Sequence, residues 1–238
     1  MSTGSDGLHA QVVDAIGGRI ATGEFAVGSV LSTERIEQEH GVSRSVVREA
    51  LRTLTVLGMV RPRHRIGTTV LPVASWNLLD PKVIAWRAHG PDSQRQLDEL
   101  LTLREALEPV AARRASSGQD EETVRTLRES LSRMKTAFEA GKPHDFIAAD
   151  TAFHEALLRG AGNDVLSQLV QTVLATLRAR YAGHHWFSDD TAASLIRHGE
   201  LVDAVAAGDQ ALAETVSRTL VREARSEVLG DAEGKVRK

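Results

Sequence analysis

Two sets of side chains in this 238-residue sequence have the types and spacing to do chemistry. The first is a strip of guanidinium groups. From Gly41 to Val70 the chain reads GVSRSVVREALRTLTVLGMVRPRHRIGTTV, six arginines against one glutamate, inside a sequence whose formal net charge is −3. Arginine can pair two donors with a guanine edge or a phosphate, so a concentrated strip of this kind suits duplex DNA. The second set is Asp150 and His154, four residues apart, with His198 further on. A carboxylate and two imidazoles are a feasible divalent-metal donor set, and spacing of four puts the first two on one helix face. Taken alone, such a pair is more commonly solvated or core-satisfied than metal-bound.

The elements around the strip are what make it more than a charged surface. Leu8, Val12, Ala15, Ile16 and Ile20 recur at helical spacing, predicting a first helix from Leu8 to Thr22 that ends at Gly23. Thr33 is the expected N-cap of a short helix, Glu34 to His40, closed by Gly41, and Ser43 is expected to cap a third. In that third helix Val47, Ala50, Leu51, Leu54 and Leu57 make an apolar face, opposite Arg44, Ser45, Arg48 and Arg52. Gly58 closes it, and two β-leaning runs follow, Met59 to Arg61 and Thr68 to Leu71, around a basic tip with Arg63, His64, Arg65 and Gly67. Three helices and a hairpin predict a winged helix-turn-helix over residues 1–72, with Arg44, Ser45 and Arg48 aimed at the major groove and the tip at an adjacent groove or phosphate. The alternative is an ordinary solvated face; helical spacing, a basic wing directly after it and a single acid, Glu49, weigh against that.

Beyond Pro72 the β signal stops. Residues 73–91 read as a linker holding a short helix that Asp80-Pro81 opens. Residues 92–238 read as an all-α antiparallel bundle for ligand binding and dimerisation, with helices near 92–117, 120–140, 144–159, 163–186, 191–207 and 209–229; Pro109 falls inside the first. Arg104 sits among Leu100, Leu101, Leu103 and Leu107, where an unpaired guanidinium is costly. It is therefore a candidate clamp for an anionic ligand, or else half of a salt bridge to Glu105 or Glu108. Arg178, Arg180, Tyr181 and Trp186 are further pocket candidates, though an aromatic at helical spacing also suits a core.

Composition excludes several classes. With 42% hydrophobic and 26% charged residues the sequence suits a packed soluble protein, and its apolar runs are too short to span a bilayer. The N-terminus has no secretory leader pattern, and a cytoplasmic location is expected. No cysteine is present, so disulfides, thiolate metal sites and cysteine nucleophiles are excluded.

The stretch LSTERIEQEHGVSRSVVREALRTLTVLGMVRPRHRIGTTV resembles the N-terminal domain of the GntR superfamily of bacterial regulators, with Ser32 where proline is usual. The resemblance places Arg35, Arg44, Arg48 and Gly67 on DNA-contacting positions and, less directly, His64 and Arg65. LLTLREALEPVAARRAS, FIAADTAFHEALLRGAGNDVL and HGELVDAVAAGDQALAE are similar to the effector domain of the FadR branch, the FCD type, in its usual order. WNLLDPKVIAW resembles the linker of sugar-acid regulators in that branch. The resemblance implies that Asp150, His154 and His198 ligate a divalent metal such as zinc, and that Leu220 stands where a further histidine completes the family's set. It also implies a homodimeric repressor on a palindromic operator, released by an aldonate such as gluconate or galactonate bound near Arg104, Asp150, His154, Arg178, Arg180, Trp186 and His198. Lactate or a dicarboxylate is the alternative effector. A metal-dependent bundle enzyme is the different-class alternative, but no motif supplies its general base or nucleophile.

Overall fold

The computed structural model describes residues 3–118, 120–181, 187 and 189–236. The chain folds as two compact units that divide between Ser93 and Gln94.

The first unit runs α1 (Thr3–Ala21), β1 (Val30–Leu31), α2 (Thr33–His40), α3 (Arg44–Val56), β2 (Val60–Arg63), β3 (Gly67–Val70) and α4 (Pro81–Arg87). Val47, Ala50, Leu51 and Leu54 of α3 bury against Val12, Val13 and Ile16 of α1 and Ile36 of α2, as the helical period requires. Gly41 ends α2 at φ 60°, the left-handed conformation that lets the chain turn sharply into α3 without a Cβ penalty. Capping departs from expectation twice. Ser32, not Thr33, caps α2, its side chain accepting from the Arg35 amide. Ser43 does stand at the N-cap position of α3, but its hydroxyl pairs with Ser45 Oγ at 2.8 Å and makes no cap bond to the helix.

The wing is a three-stranded antiparallel sheet ordered β1-β3-β2, not a two-stranded hairpin. Val30 pairs with Thr69, and Val60 with Val70 through to Arg63 with Gly67. A two-residue strand carries no alternation to read, which is why β1 escapes the pattern. Pro62 is tolerated because β2 is an edge.

The segment after the wing belongs structurally to this unit. Trp76 Nε1 donates to the Leu71 carbonyl at 2.9 Å, and Val83 and Ile84 are fully buried. Asp80 caps α4 with Pro81 inside the first turn, as the sequence predicts. Gly17 of α1 leaves room for the Trp86 ring, since a Cβ there would lie 2.5 Å from it. Lys82 Nζ reaches Asp14 at 2.7 Å beside that contact.

The second unit is α-helical: α5 (Ser93–Gly118), α6 (Glu121–Glu139), α7 (Pro143–Gly160), α8 (Asp164–Gln168), α9 (Val170–Tyr181), α10 (Asp189–Ala207) and α11 (Gln210–Val236). The predicted helix over 163–186 is two helices that part at Leu169, and α5 runs on through Pro109. Leu127, Met134, Phe153, Leu157, Leu201 and Val205 anchor one apolar cluster; Leu158, Val170, Val173 and Leu177 anchor another. No described helix is long and apolar enough to cross a membrane.

Candidate functional site

In the first unit, the outer face of α3 presents Arg44, Ser45 and Arg48, all exposed, while the opposite face is sealed in the core. Arg35 on α2 is exposed and pairs with Glu39 at 2.8 Å. Arg63, His64 and Arg65 are exposed at the wing tip. Arg65 has φ 62°, the sole positive value for a non-glycine among the described residues, and Gly67 has φ 110°. A left-handed arginine costs about 1 kcal/mol or more and is the kind of strain that marks functional tips. Among the described residues Arg48, Arg63 and Arg65 have no ion-pair partner, which leaves their donors free for phosphate or base edges.

The second unit holds a different site. Asp150 and His154 leave α7 one turn apart and turn inward, and His198 of α10 meets them; one donor atom from each lies within 4.8 Å of the others. All three are about 3% exposed. Both imidazole Nε2 atoms converge on one carboxylate oxygen, Asp150 Oδ1, at 3.5 Å from His154 and 3.4 Å from His198. Phe153 braces the His198 ring edge-on, with centroids 4.8 Å apart. The Tyr181 hydroxyl donates to the other oxygen, Asp150 Oδ2, at 3.4 Å.

Behind His154 lies a second layer. Its Nδ1 stands 2.9 Å from Glu108 Oε2, and Glu108 also accepts from Arg104 at 2.5 Å (Nε to Oε1) and 3.2 Å (Nη2 to Oε2). The Arg104–Glu108 salt bridge that the sequence allowed is therefore present, while Glu105 instead receives Arg222 at 2.6 Å. Yet the salt bridge leaves Arg104 incompletely satisfied: its Nη1 is buried without a partner.

Charge follows from this packing. Burial alone raises a carboxyl, but the Arg104 and His154 charges outweigh it and hold Glu108 at about 2. Burial alone lowers an imidazole, but Glu108 and Asp150 outweigh it and bring His154 to about 9. Asp150 is buried too, yet the two imidazoles that face it hold it well below the usual carboxylate range. Burial pushes the Tyr181 phenol up, and the Asp150 charge adds to the effect.

The donor set fits a divalent ion. His198 Nδ1 lies 2.7 Å from the Ser194 carbonyl, which can only accept, so Nδ1 carries the proton and Nε2 keeps its lone pair; that Nε2 is buried without a hydrogen-bond partner. His154 Nδ1 faces Glu108 Oε2 at 2.9 Å, an ion-pair contact without the alignment of a hydrogen bond, so Nδ1 too is buried without a hydrogen-bond partner. Imidazoles held from behind by oxygen acceptors are the usual supporting arrangement around a bound ion. Asp150, His154 and His198 would hold it, and a bound ion there supplies positive charge and open positions for oxygen donors. Leu220 is buried in the apolar cluster that contains Phe153, and no fourth protein donor joins the three among the described residues.

The other pocket candidates divide. Arg178 is exposed on α9, Arg180 is ion-paired with Glu227, and Trp186 lies outside the described residues. Glu108 is the functional residue that sequence reasoning reached only as a salt-bridge partner. Its signal was the spacing of four from Arg104 on a leucine-lined helix face.

A basic winged helix and a helical unit with a buried donor cluster together define a DNA-binding regulator with a ligand domain. Residues 8–70 match the model for bacterial regulatory proteins of the gntR family, and residues 99–223 match the FCD domain. The chain belongs to the gntR family of transcription regulators, with an FCD domain as its second unit. It is 31% identical over 205 residues to an uncharacterized HTH-type transcriptional regulator of Escherichia coli, covering 86% of this chain and 88% of that one. It is 27% identical over 214 residues to the galactonate operon transcriptional repressor of the same organism, covering 89% and 92%. A probable D-xylose utilization operon transcriptional repressor of Paenarthrobacter nicotinovorans is 32% identical over 214 residues, covering 87% and 82%. Among solved structures, Lar, which controls the agr system of Listeria monocytogenes, superposes with a TM-score of 0.63 over 93% of this chain and 96% of that one, at 20% identity.

Proposed function

We propose that this regulator is a homodimeric repressor of a sugar-acid catabolic operon, acting in the cytoplasm on a palindromic operator and released when an aldonate of the gluconate or galactonate type occupies the buried cluster of the second unit. The observation that carries the reading is a charged and polar set, Arg104, Asp150, His154 and His198, buried within the helical unit with Arg104 Nη1 and His198 Nε2 left unpartnered. Unsatisfied buried donors and acceptors are costly, so their retention points to an occupant that satisfies them. A sugar acid offers one carboxylate for the guanidinium and hydroxyls for the remaining groups. Relatives named as galactonate and gluconate operon repressors support that class.

On the DNA side, Arg44, Ser45 and Arg48 read the major groove, Arg35 positions α2 on the backbone, and His64, Arg65 and Gly67 place the wing. Effector binding lowers operator affinity by favouring a dimer whose two α3 helices no longer match adjacent half-sites, a coupling typically of about 1 to 3 kcal/mol. The test is a thermal-shift screen of aldonates, with and without zinc, against the purified dimer. Stabilisation by D-gluconate or D-galactonate supports the reading. Stabilisation by L-lactate or a dicarboxylate alone moves the effector to that class.

A further inference from the structure

Glu108 is one buried carboxylate serving two neighbours. Both of its oxygens accept from Arg104, at 2.5 and 3.2 Å, and Oε2 also stands 2.9 Å from His154 Nδ1. Arg104 is the cation with a spare buried donor, and His154 is a candidate ligand through its other nitrogen. Glu108 itself is 1% exposed, so water cannot relieve a change at either neighbour.

We infer that Glu108 is a positioning residue that couples a divalent ion on His154 to a hydroxy-acid carboxylate on Arg104, so that the two occupants bind cooperatively. This rests on the reading that the cluster receives a small carboxylate. An ion on Nε2 draws electron density from the imidazole and makes the Nδ1 side, which faces Glu108 at 2.9 Å, more positive. Glu108 is then better neutralised from the histidine side, and the Arg104 guanidinium has more of its charge available to a second carboxylate. The reverse follows by reciprocity: a carboxylate on Arg104 leaves Glu108 freer to support His154. The coordination also favours it. Among the described residues three protein donors converge, and an α-hydroxy acid can add its carboxylate and hydroxyl oxygens to the same ion.

The experiment measures zinc affinity of the full-length dimer by competition with a chelating indicator, alone and with D-gluconate, D-galactonate or L-lactate, together with visible absorption of the cobalt-loaded protein. In the wild type at least one of these acids tightens zinc by about tenfold or more, within the usual range of coupling, and changes the cobalt spectrum. Glu108→Gln binds zinc about 10- to 100-fold more weakly, as loss of a supporting acceptor does, and the acid no longer tightens it. Should the Gln variant not fold, Glu108→Asp carries the test: it keeps the charge but withdraws it from His154 by one methylene, and both zinc affinity and its enhancement fall. A variant with wild-type zinc affinity and undiminished enhancement overturns the inference, as does a wild type that binds no zinc or is indifferent to all three acids. Enhancement by L-lactate alone upholds the coupling and removes the sugar-acid reading instead.

Discussion

His154 Nδ1 and Glu108 Oε2 face each other at 2.9 Å, on α7 and α5, with both side chains almost wholly buried. The pair sets the imidazole of a candidate metal ligand and links it to the guanidinium of Arg104, whose Nη1 is buried without a partner. Its energetic signature is a pH dependence with a defined sign.

In metal-free protein, Glu108 is depressed from 4.5 to about 2, so its contribution to stability is present above 4.5 and is lost as pH falls through about 2. His154 is raised from 6.5 to about 9, so its contribution is complete below 6.5 and is lost as pH rises through about 9. Thermal unfolding with a chelator present is expected to show a midpoint drop on the order of 5 °C between about pH 6 and pH 9.5. Glu108→Gln is expected to flatten that slope.

Arg48→Ala is expected to weaken operator binding by about 1 to 3 kcal/mol and to relax base preference in the half-site. Arg65→Gly is expected to behave differently. Glycine accepts the positive φ at that position, so the wing keeps its shape while the cation is lost. Affinity should fall similarly on all sequences, with the slope of log affinity against log salt reduced by about one. Fluorescence anisotropy across a salt series distinguishes the two.

The linker is expected to be necessary for the DNA-binding unit to fold. A fragment ending at residue 72 loses Trp76, Val83 and the Trp86 ring on Gly17, all packed with α1 and the wing. Removing several buried apolar side chains costs about 2 to 5 kcal/mol each, comparable with a small domain's whole stability. A fragment of residues 1–92 should show cooperative unfolding by circular dichroism and the fragment of residues 1–72 should not.

Leu220→His is expected to tighten zinc by about tenfold or more in the absence of any hydroxy acid, because α11 then offers an imidazole where it now buries an isobutyl group. Chelator competition reads this directly. Unchanged affinity would show that Leu220 does not face the donor cluster.

Much of this architecture can be read from spacing. The α3 apolar face, the Asp80-Pro81 start of α4 and the Asp150/His154 pair each depend on one local period, and all three form as expected. What escapes is set by tertiary partners. β1 has two residues and exists only because β3 is beside it. The break at Leu169 falls in an amphipathic stretch whose apolar spacing carries through it and reads as one helix. Glu108 reads as a salt-bridge partner of Arg104, and its second neighbour, His154, comes only with α7. Trp76 and Trp86 read as linker aromatics, yet they pack into the DNA-binding unit, because their partners lie on α1 and β3.

The central claim is that occupation of the buried cluster in the second unit releases DNA held by the first. It is tested most directly by titrating the operator fragment with wild-type dimer and with Arg104→Lys, each with and without a saturating aldonate. The account predicts that the aldonate weakens wild-type operator binding by about 5- to 150-fold. It also predicts that Arg104→Lys binds the operator normally and barely responds, since lysine lacks the planar fork. Operator affinity indifferent to every aldonate, or a lysine variant that responds as the wild type does, would contradict it.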